Sequence, residues 1–278
     1  MLIAIGVGTL AIIGGGAAVA LRISSAPDAP ATPAVTETSV ETPAAPIVRS
    51  WIDGHVLADG EVQPGAVAVV IDNAPEARPQ SGVVEAPLVF EVPVEGGRTR
   101  FLAVFPLPDP SSDGASTFAG EIGPVRSARP YLVGLAEMID APLVHVGGSA
   151  NALRLLRGRN HVDQYHDPPF RRVTFRRAPF NVYASVQNLA EFIVARGWST
   201  VRDPASGVLW QYAEAQAGDV QAATTPLRLG FGTTTVGWEY DAARGQYLRS
   251  MSGQPHRDAN GKQVAATNIV ILRVSSRV

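Results

Sequence analysis

LVFEVPVEGGRTRFLAVF, residues 88–105, decides the fold: two runs rich in β-branched and aromatic residues flank a Gly-Gly pair. Such runs read as strands, and a Gly-Gly pair between them reads as a two-residue hairpin turn. A turn at Gly96-Gly97 sets Glu95 opposite Arg98, Pro93 opposite Arg100 and Glu91 opposite Leu102. One face then carries Leu88, Phe90, Val92, Val94, Thr99, Phe101, Ala103 and Phe105 as core. The other carries Glu91, Glu95, Arg98 and Arg100 as a mixed-charge patch at the tip, with Val89, Leu102 and Val104 farther along.

Upstream, AVAVVI (66–71) is a wholly apolar run suited to a buried strand, ended by Asp72-Asn73. Downstream, residues 127–139 read as a helix with Ser127 as N-cap, Pro130 in its first turn, and Leu132, Leu135, Ala136 and Ile139 facing inward. PLVHV (142–146) is strand-like, and Gly147-Gly148-Ser149 leads into a helix over 150–157. A third helix, about 184–196, stops at Gly197. After residue 209 the pattern turns to β, with candidate strands at 227–231, 236–240, 246–249 and 268–274. The expected fold is α/β (α+β): a layered sandwich over 48–208, followed by a β-rich part over 209–278.

Residues 2–21 form an uncharged apolar run that stops at Arg22. About 20 residues suffice to span a bilayer, so 1–22 reads as a transmembrane anchor or a signal peptide cleaved after Ala20. Residues 23–47 are a Pro/Ala/Thr-rich stalk that buries little. The expected location is the cell membrane with the folded part extracytoplasmic, or secretion if cleavage near Ala20 occurs.

The 278 residues carry 23 Lys+Arg against 25 Asp+Glu, a net charge of −2, which gives no electrostatic footprint for nucleic acid. With no cysteine, the chain has no disulfide, thiolate metal site, cysteine nucleophile or lipid-bearing cysteine. No cofactor or metal is expected, since neither a dinucleotide nor a P-loop glycine motif occurs.

Several blocks in order give a resemblance to the YerB-like family, bacterial envelope lipoproteins built on a domain of unknown function. They are Ile71-Asp72-Asn73, ARPQSG (77–82), Glu91, EGGRTRF (95–101), IGPVRSARP (122–130), HVGGS (145–149) and APFNVY (178–183). WEYD (238–241), YLR (247–249), PHRD (255–258) and ATNIV (266–270) follow. The resemblance covers about residues 66–274. It implies a layered α/β sandwich with a second β-containing part outside the membrane, and no established activity. Members of the lipoprotein type carry a lipidated cysteine, so here the apolar segment would be the anchor. Relatives also run on past the strand expected at 268–274, which implies missing terminal strands.

The candidate ligand-binding residues are Arg78, Glu91, Glu95, Arg100, Arg126, Arg129, Ser149 and Asn181. Arg126 and Arg129 sit where a helix starts, and arginine forks match carboxylate or phosphate. The same arginines read first as structural ion pairs with Glu91, Glu95 and Asp72. Glu91 and Glu95 lie four residues apart on an extended strand, about 13 Å between Cα atoms, wider than the roughly 5–9.5 Å of a glycosidase carboxyl pair. Ser149 reads as an N-cap, because Asn151 stands where a nucleophile elbow needs glycine. His145 reads as a core histidine, and the His161–Asp167 stretch lacks metal-ligand spacing. Arg171, Arg172, Arg176 and Arg177 read as a solvated strand face. Two functions result: an anchored binding or scaffold protein taking an anionic envelope ligand, or an envelope hydrolase or transferase acting through Asp72, Glu91 or Glu95.

Overall fold

The structure, a computed structural model, describes residues 48–108, 120–203, 206, 210, 212 and 225–274. The expected anchor (1–22) and stalk (23–47) lie outside the described residues, among which no helix is long and apolar enough to cross a membrane.

In chain order the elements begin with β1 (Ala66–Asp72), β2 (Leu88–Val94), β3 (Arg98–Pro106) and β4 (Glu121–Ile122). Next come α1 (Pro130–Met138), β5 (Leu143–His145), α2 (Ala150–Leu156) and β6 (His161–Asp163). Then follow β7 (Phe170–Arg172), β8 (Val182–Ser185) and α3 (Val186–Ala195). The β-rich part supplies β9 (Leu227–Phe231), β10 (Thr234–Asp241), β11 (Gln246–Met251), β12 (Gln254–Pro255) and β13 (Ala265–Ala266).

Every residue of β1 is buried because it lies in the middle of a five-stranded sheet of order β2-β3-β1-β5-β6. It runs antiparallel to β3 and parallel to β5, which is parallel to β6. One sheet face, with Ala68, Val70, Leu102 and Val104, packs on Leu132, Val133, Ala136 and Ile139 of the α1 region and on Ala152 and Leu156 of α2. The opposite face, with Val67, Val69, Ile71, Phe101, Ala103 and Phe105, packs on Val182 and Ala184 of β8 and on Leu189 and Ile193 of α3. Each fully buried aliphatic side chain contributes about 1.5–3 kcal/mol of transfer free energy. The layered sandwich expected from the sequence is present, with mixed sheets and few helices.

The hairpin register differs by one residue from the one the Gly-Gly turn predicts. Glu95, Gly96 and Gly97 form a three-residue turn in which both glycines have positive φ, 75° and 68°, so Val94 pairs with Arg98, Pro93 with Thr99, Val92 with Arg100 and Glu91 with Phe101. A one-residue slip exchanges faces. Leu88, Phe90 and Val92 therefore share the helix side with Leu102 and Val104, while Glu91 shares the other side with Thr99 and Phe101. The alternation could not settle this, because both faces of this sheet are covered and both sets carry apolar residues over most of their length.

Two more expectations are corrected. Ser127 does not cap α1: Arg129 holds the N-cap position without a side-chain bond, and Pro130 opens the helix. Residues 268–274 form no strand, and Val270, Ile271, Leu272 and Val274 are exposed. The edge of β11 away from β10 is already occupied by the short β12 and β13, leaving that segment no ladder there.

At one point the β-rich part meets the first sheet backbone to backbone. The tip of the β2–β3 hairpin meets the β9–β10 turn, where a Cβ on Gly232 would stand 2.6 Å from Gly97 Cα. Both glycines have positive φ, 57° and 68°. Gly232→Ala should therefore lower stability by about 1–3 kcal/mol for the backbone conformation, plus the cost of pushing the two turns apart. Gly253→Ala, at φ 80° with nothing within 4 Å, carries only the first cost. Chemical denaturation of the two variants should rank Gly232→Ala clearly below Gly253→Ala.

Candidate functional site

β1 ends in consecutive polar residues, and strand alternation sends them to opposite sides of the sheet. Asp72 shares the helix side with its register partner Arg100. Its Oδ2 accepts from Arg126 Nε at 2.6 Å and its Oδ1 from the Ala74 amide at 2.8 Å. Arg100 is 7% exposed; Nη1 donates to the Ser127 carbonyl at 2.8 Å, while Nε has no partner. Burial, then the neighbouring Arg129, push the Arg100 pKa below the ordinary arginine value. Arg129 forks onto Glu95, Nε to Oε1 at 2.7 Å and Nη2 to Oε2 at 3.0 Å. That pair holds the Glu95 carboxyl down at about 2. The Arg126 guanidinium lies 5.3 Å from the Phe180 ring centroid. Four of the candidates expected from the sequence, Arg100, Arg126, Arg129 and Glu95, are thus brought together around Asp72: three guanidinium groups against two carboxylates.

Arg78 and Glu91 belong to the other side, in a buried network that begins at Asn73. The Asn73 amide donates to Thr99 Oγ1 at 2.7 Å and to Glu91 Oε1 at 3.2 Å, and the Thr99 hydroxyl donates to the same oxygen at 2.8 Å. Arg249, whose side chain is 1% exposed, donates through Nη2 to both Glu91 oxygens at 2.8 Å. Arg249 also contacts His256 Nδ1. Because arginine only donates, Nδ1 is the acceptor, and His256 Nε2–H donates to Gln80 Oε1 at 2.9 Å. The Gln80 amide closes the chain on Asn73 Oδ1 at 2.8 Å and the Asp72 carbonyl at 3.1 Å. Arg78 donates to the Asn73 carbonyl at 2.7 Å. Burial, with Arg249 and Arg78 nearby, drives the His256 pKa down to about 3, so the ring stays neutral. Arg249, His256, Gln80 and Thr99 carry no role that the sequence alone points to; their blocks signal only family resemblance.

The remaining candidates stand apart. Ser149 accepts from the Ala152 amide at 3.3 Å as the N-cap of α2. Asn181 accepts from Arg172 at 2.9 Å on the exposed side of β7 and β8. His145 is fully buried. Glu91 and Glu95 are clamped by different arginines on different sides of the sheet, so they do not form an acid–base pair. Among the described residues no three His, Asp or Glu side chains are grouped to hold a metal.

The carboxyl edge of the parallel strands carries an open cleft of about 630 Å³ beside Ser127, Gly147, Gly148, Asp163 and Tyr165. In open sheets containing parallel strands such edges are where ligands enter.

Mixed sheets and few helices make this an α+β protein, and the comparisons show which family it belongs to. The family model described as "Protein of unknown function (DUF3048) N-terminal domain" matches residues 54–199, and the corresponding C-terminal domain matches 227–278. The chain belongs to this family. A Bacillus subtilis (strain 168) protein named "Putative lipoprotein YerB" is 33% identical over 222 residues, covering 76% of this chain and 63% of that one. The chain thus spans less than two thirds of that relative's length. The crystal structure of the YerB protein from Bacillus subtilis matches with a TM-score of 0.61 at 29% identity, over 78% of this chain and 72% of that one.

Removing one partner of a buried ion pair costs about 3–5 kcal/mol. Glu91→Gln should lose stability on that scale, whereas Glu91→Leu combined with Arg249→Met removes the lone charge but leaves Asn73, Thr99 and His256 short of partners and should recover only part of it; urea denaturation of both variants measures the difference. A second prediction concerns pH. The unfolded chain protonates its histidines below about 6.5, whereas folded His256 stays neutral until about 3. The unfolded state therefore binds the extra proton, and stability falls as pH drops from about 6.5 toward 3. Burial lowers the pKa of His145 and His161 too, with the same sign. Melting temperature should drop between pH 7 and 4.5, with a shallower slope in His256→Asn.

Proposed function

We propose that this is an envelope protein whose folded part works outside the cytoplasm as a binding or scaffold module, taking an anionic group at Arg100, Arg126 and Arg129. The observation that carries the reading is Arg100, a charged side chain nine-tenths buried, with its Nε unpartnered, among two further guanidinium groups. A carboxylate or phosphate is the complement of such a group, because fork donors meet two acceptor oxygens. Glu95 occupies that position from within the chain, on a turn where its side chain is 69% exposed. An external anion would compete with it for Arg129.

The rival hydrolase or transferase reading has less support. Asp72, Glu91 and Glu95 each accept from an arginine, an arrangement that keeps a carboxylate from acting as a general acid. The envelope location rests on the apolar 2–21 run, the stalk after it and the similarity to a protein named as a lipoprotein. Without a cysteine to carry lipid, the apolar run is the proposed attachment.

A thermal-shift screen of the full chain against anionic wall fragments, anionic polymers and phosphosugars tests the reading. An anion bound at 100 times its Kd stabilises by about 2.7 kcal/mol, a shift of a few degrees. Arg129→Gln should abolish the shift, and Glu95→Gln should strengthen it by removing the internal competitor. No shift with any anion, or a shift that survives Arg129→Gln, overturns the site.

A further inference from the structure

The cleft at the carboxyl edge has a chemistry unlike that of the arginine group. Strands β5 and β6 end there in His145 and Asp163. Asp163 is 4% exposed, and its Oδ1 accepts from the Gly147 amide at 2.8 Å and the Tyr165 amide at 3.3 Å. Its Oδ2 has no hydrogen-bond partner among the described residues, and the residue lines the cleft. Across the loop, the bridge to Ala128 uses the Gly147 carbonyl and the Ser149 amide. The Gly148 amide is left on the other edge of that segment, without an acceptor among the described residues.

Tyr165 completes the walls. It is 66% exposed, yet a Cβ on Gly147 would sit 3.0 Å from its ring, so the ring closes over a loop that only glycine lets it approach. Behind the loop, His145 Nδ1–H donates to the Gly147 carbonyl at 2.8 Å, and His145 Nε2 takes the Nδ1–H of His161 at 3.0 Å. Buried and uncharged in that tautomer, His145 supplies no cation to offset Asp163. The other nearby carboxylate, Asp167, is bonded to Arg196 at 2.7 Å.

We infer that this cleft binds a neutral saccharide, with one sugar face on the Tyr165 ring, hydroxyls on Asp163 and a ring or hydroxyl oxygen on the Gly148 amide. A carboxylate only accepts and so selects hydroxyl donors. A pyranose presents one face of C–H groups to a flat exposed ring and a rim of hydroxyls to the polar groups beside it. With no arginine or lysine in the lining and His166 its one basic side chain, the Asp163 carboxylate disfavours phosphate or carboxylate ligands. The volume, about 630 Å³, falls within the roughly 300–1,000 Å³ of small-molecule sites. This inference does not depend on the arginine group binding an anion, since no arginine lines the cleft.

The test is an NMR titration of the ¹⁵N-labelled full chain with chitotriose, with cellotriose and, separately, with inorganic phosphate. One of the two sugars should move the Gly147, Gly148 and Tyr165 amides at up to millimolar concentration, and phosphate should not. Tyr165→Ala, at an exposed position where folding is safe, should weaken that sugar by about tenfold or more, and Asp163→Asn by a similar factor. If neither sugar moves these amides, if phosphate moves them, or if Tyr165→Ala leaves the affinity unchanged, the saccharide site is wrong.

Discussion

The fork of Arg249 on Glu91 is the contact on which the β-rich part depends. That part has little core of its own: β9 has no buried residue, and in β10 and β11 only Val236, Arg249 and Met251 are buried. Its attachment comes from Val264 and Trp238 packed on the core of the first sheet and from polar groups reaching into that sheet. Arg249 meets Glu91 with its guanidinium near the rings of Phe101 and Trp238, at 5.2 and 5.7 Å. Asp258 accepts from the Val83 and Val84 amides at 2.8 and 3.2 Å. Burying a guanidinium and a carboxylate costs several kcal/mol per ion, recovered only where the geometry is good and the remaining donors are satisfied. Thr99, Asn73, Gln80 and His256 supply that satisfaction. The network specifies one docking arrangement, because any other leaves a buried charge alone.

The same strand end organises the opposite side. Asp72 and Asn73 are adjacent in sequence, but the pleat turns one toward the arginines beside α1 and the other toward the docked β-rich part. Two polar systems of different character therefore grow from one dipeptide. The Asn73 system is nearly closed to solvent and fully paired. The Asp72 system carries more arginine than acid and ends at the exposed Glu95. A polar group held together by complete pairing behaves as structure, whereas one with surplus buried charge at its rim is suited to receive a ligand.

Much of the architecture is legible in the sequence. The apolar run 66–71 is a central strand, the 88–105 stretch is a hairpin, helices begin near Pro130, Ala150 and Val186, and β strands follow residue 226. Each of these rests on local patterning, where neighbouring residues in one stretch of chain carry the signal. The grouping of Arg126 and Arg129 near Pro130 is legible too, since the two stand three residues apart in the sequence. What fails is whatever needs a second segment. The register of the β2–β3 hairpin escapes the pattern because alternation discriminates faces only when one of them is wet. Residues 268–274 look like a strand because β propensity says nothing about whether a sheet edge is free.

By itself, then, the sequence determined the longer strands and helices, the α+β class and the family, because periodicity and short ordered motifs are local properties. The short strands β4, β6, β12 and β13, by contrast, exist only through their partners. Only the tertiary structure decided which charges meet. Glu91 finds Arg249 across 158 residues, and Gln80 finds His256 across 176. Asp163, Gly148 and Tyr165 face one cleft through a loop glycine that no spacing reveals. Partner choice for a charged side chain is set by which surfaces the packed sheets bring within about 3 Å of each other, the reach of a hydrogen bond, and that distance is a property of the folded chain.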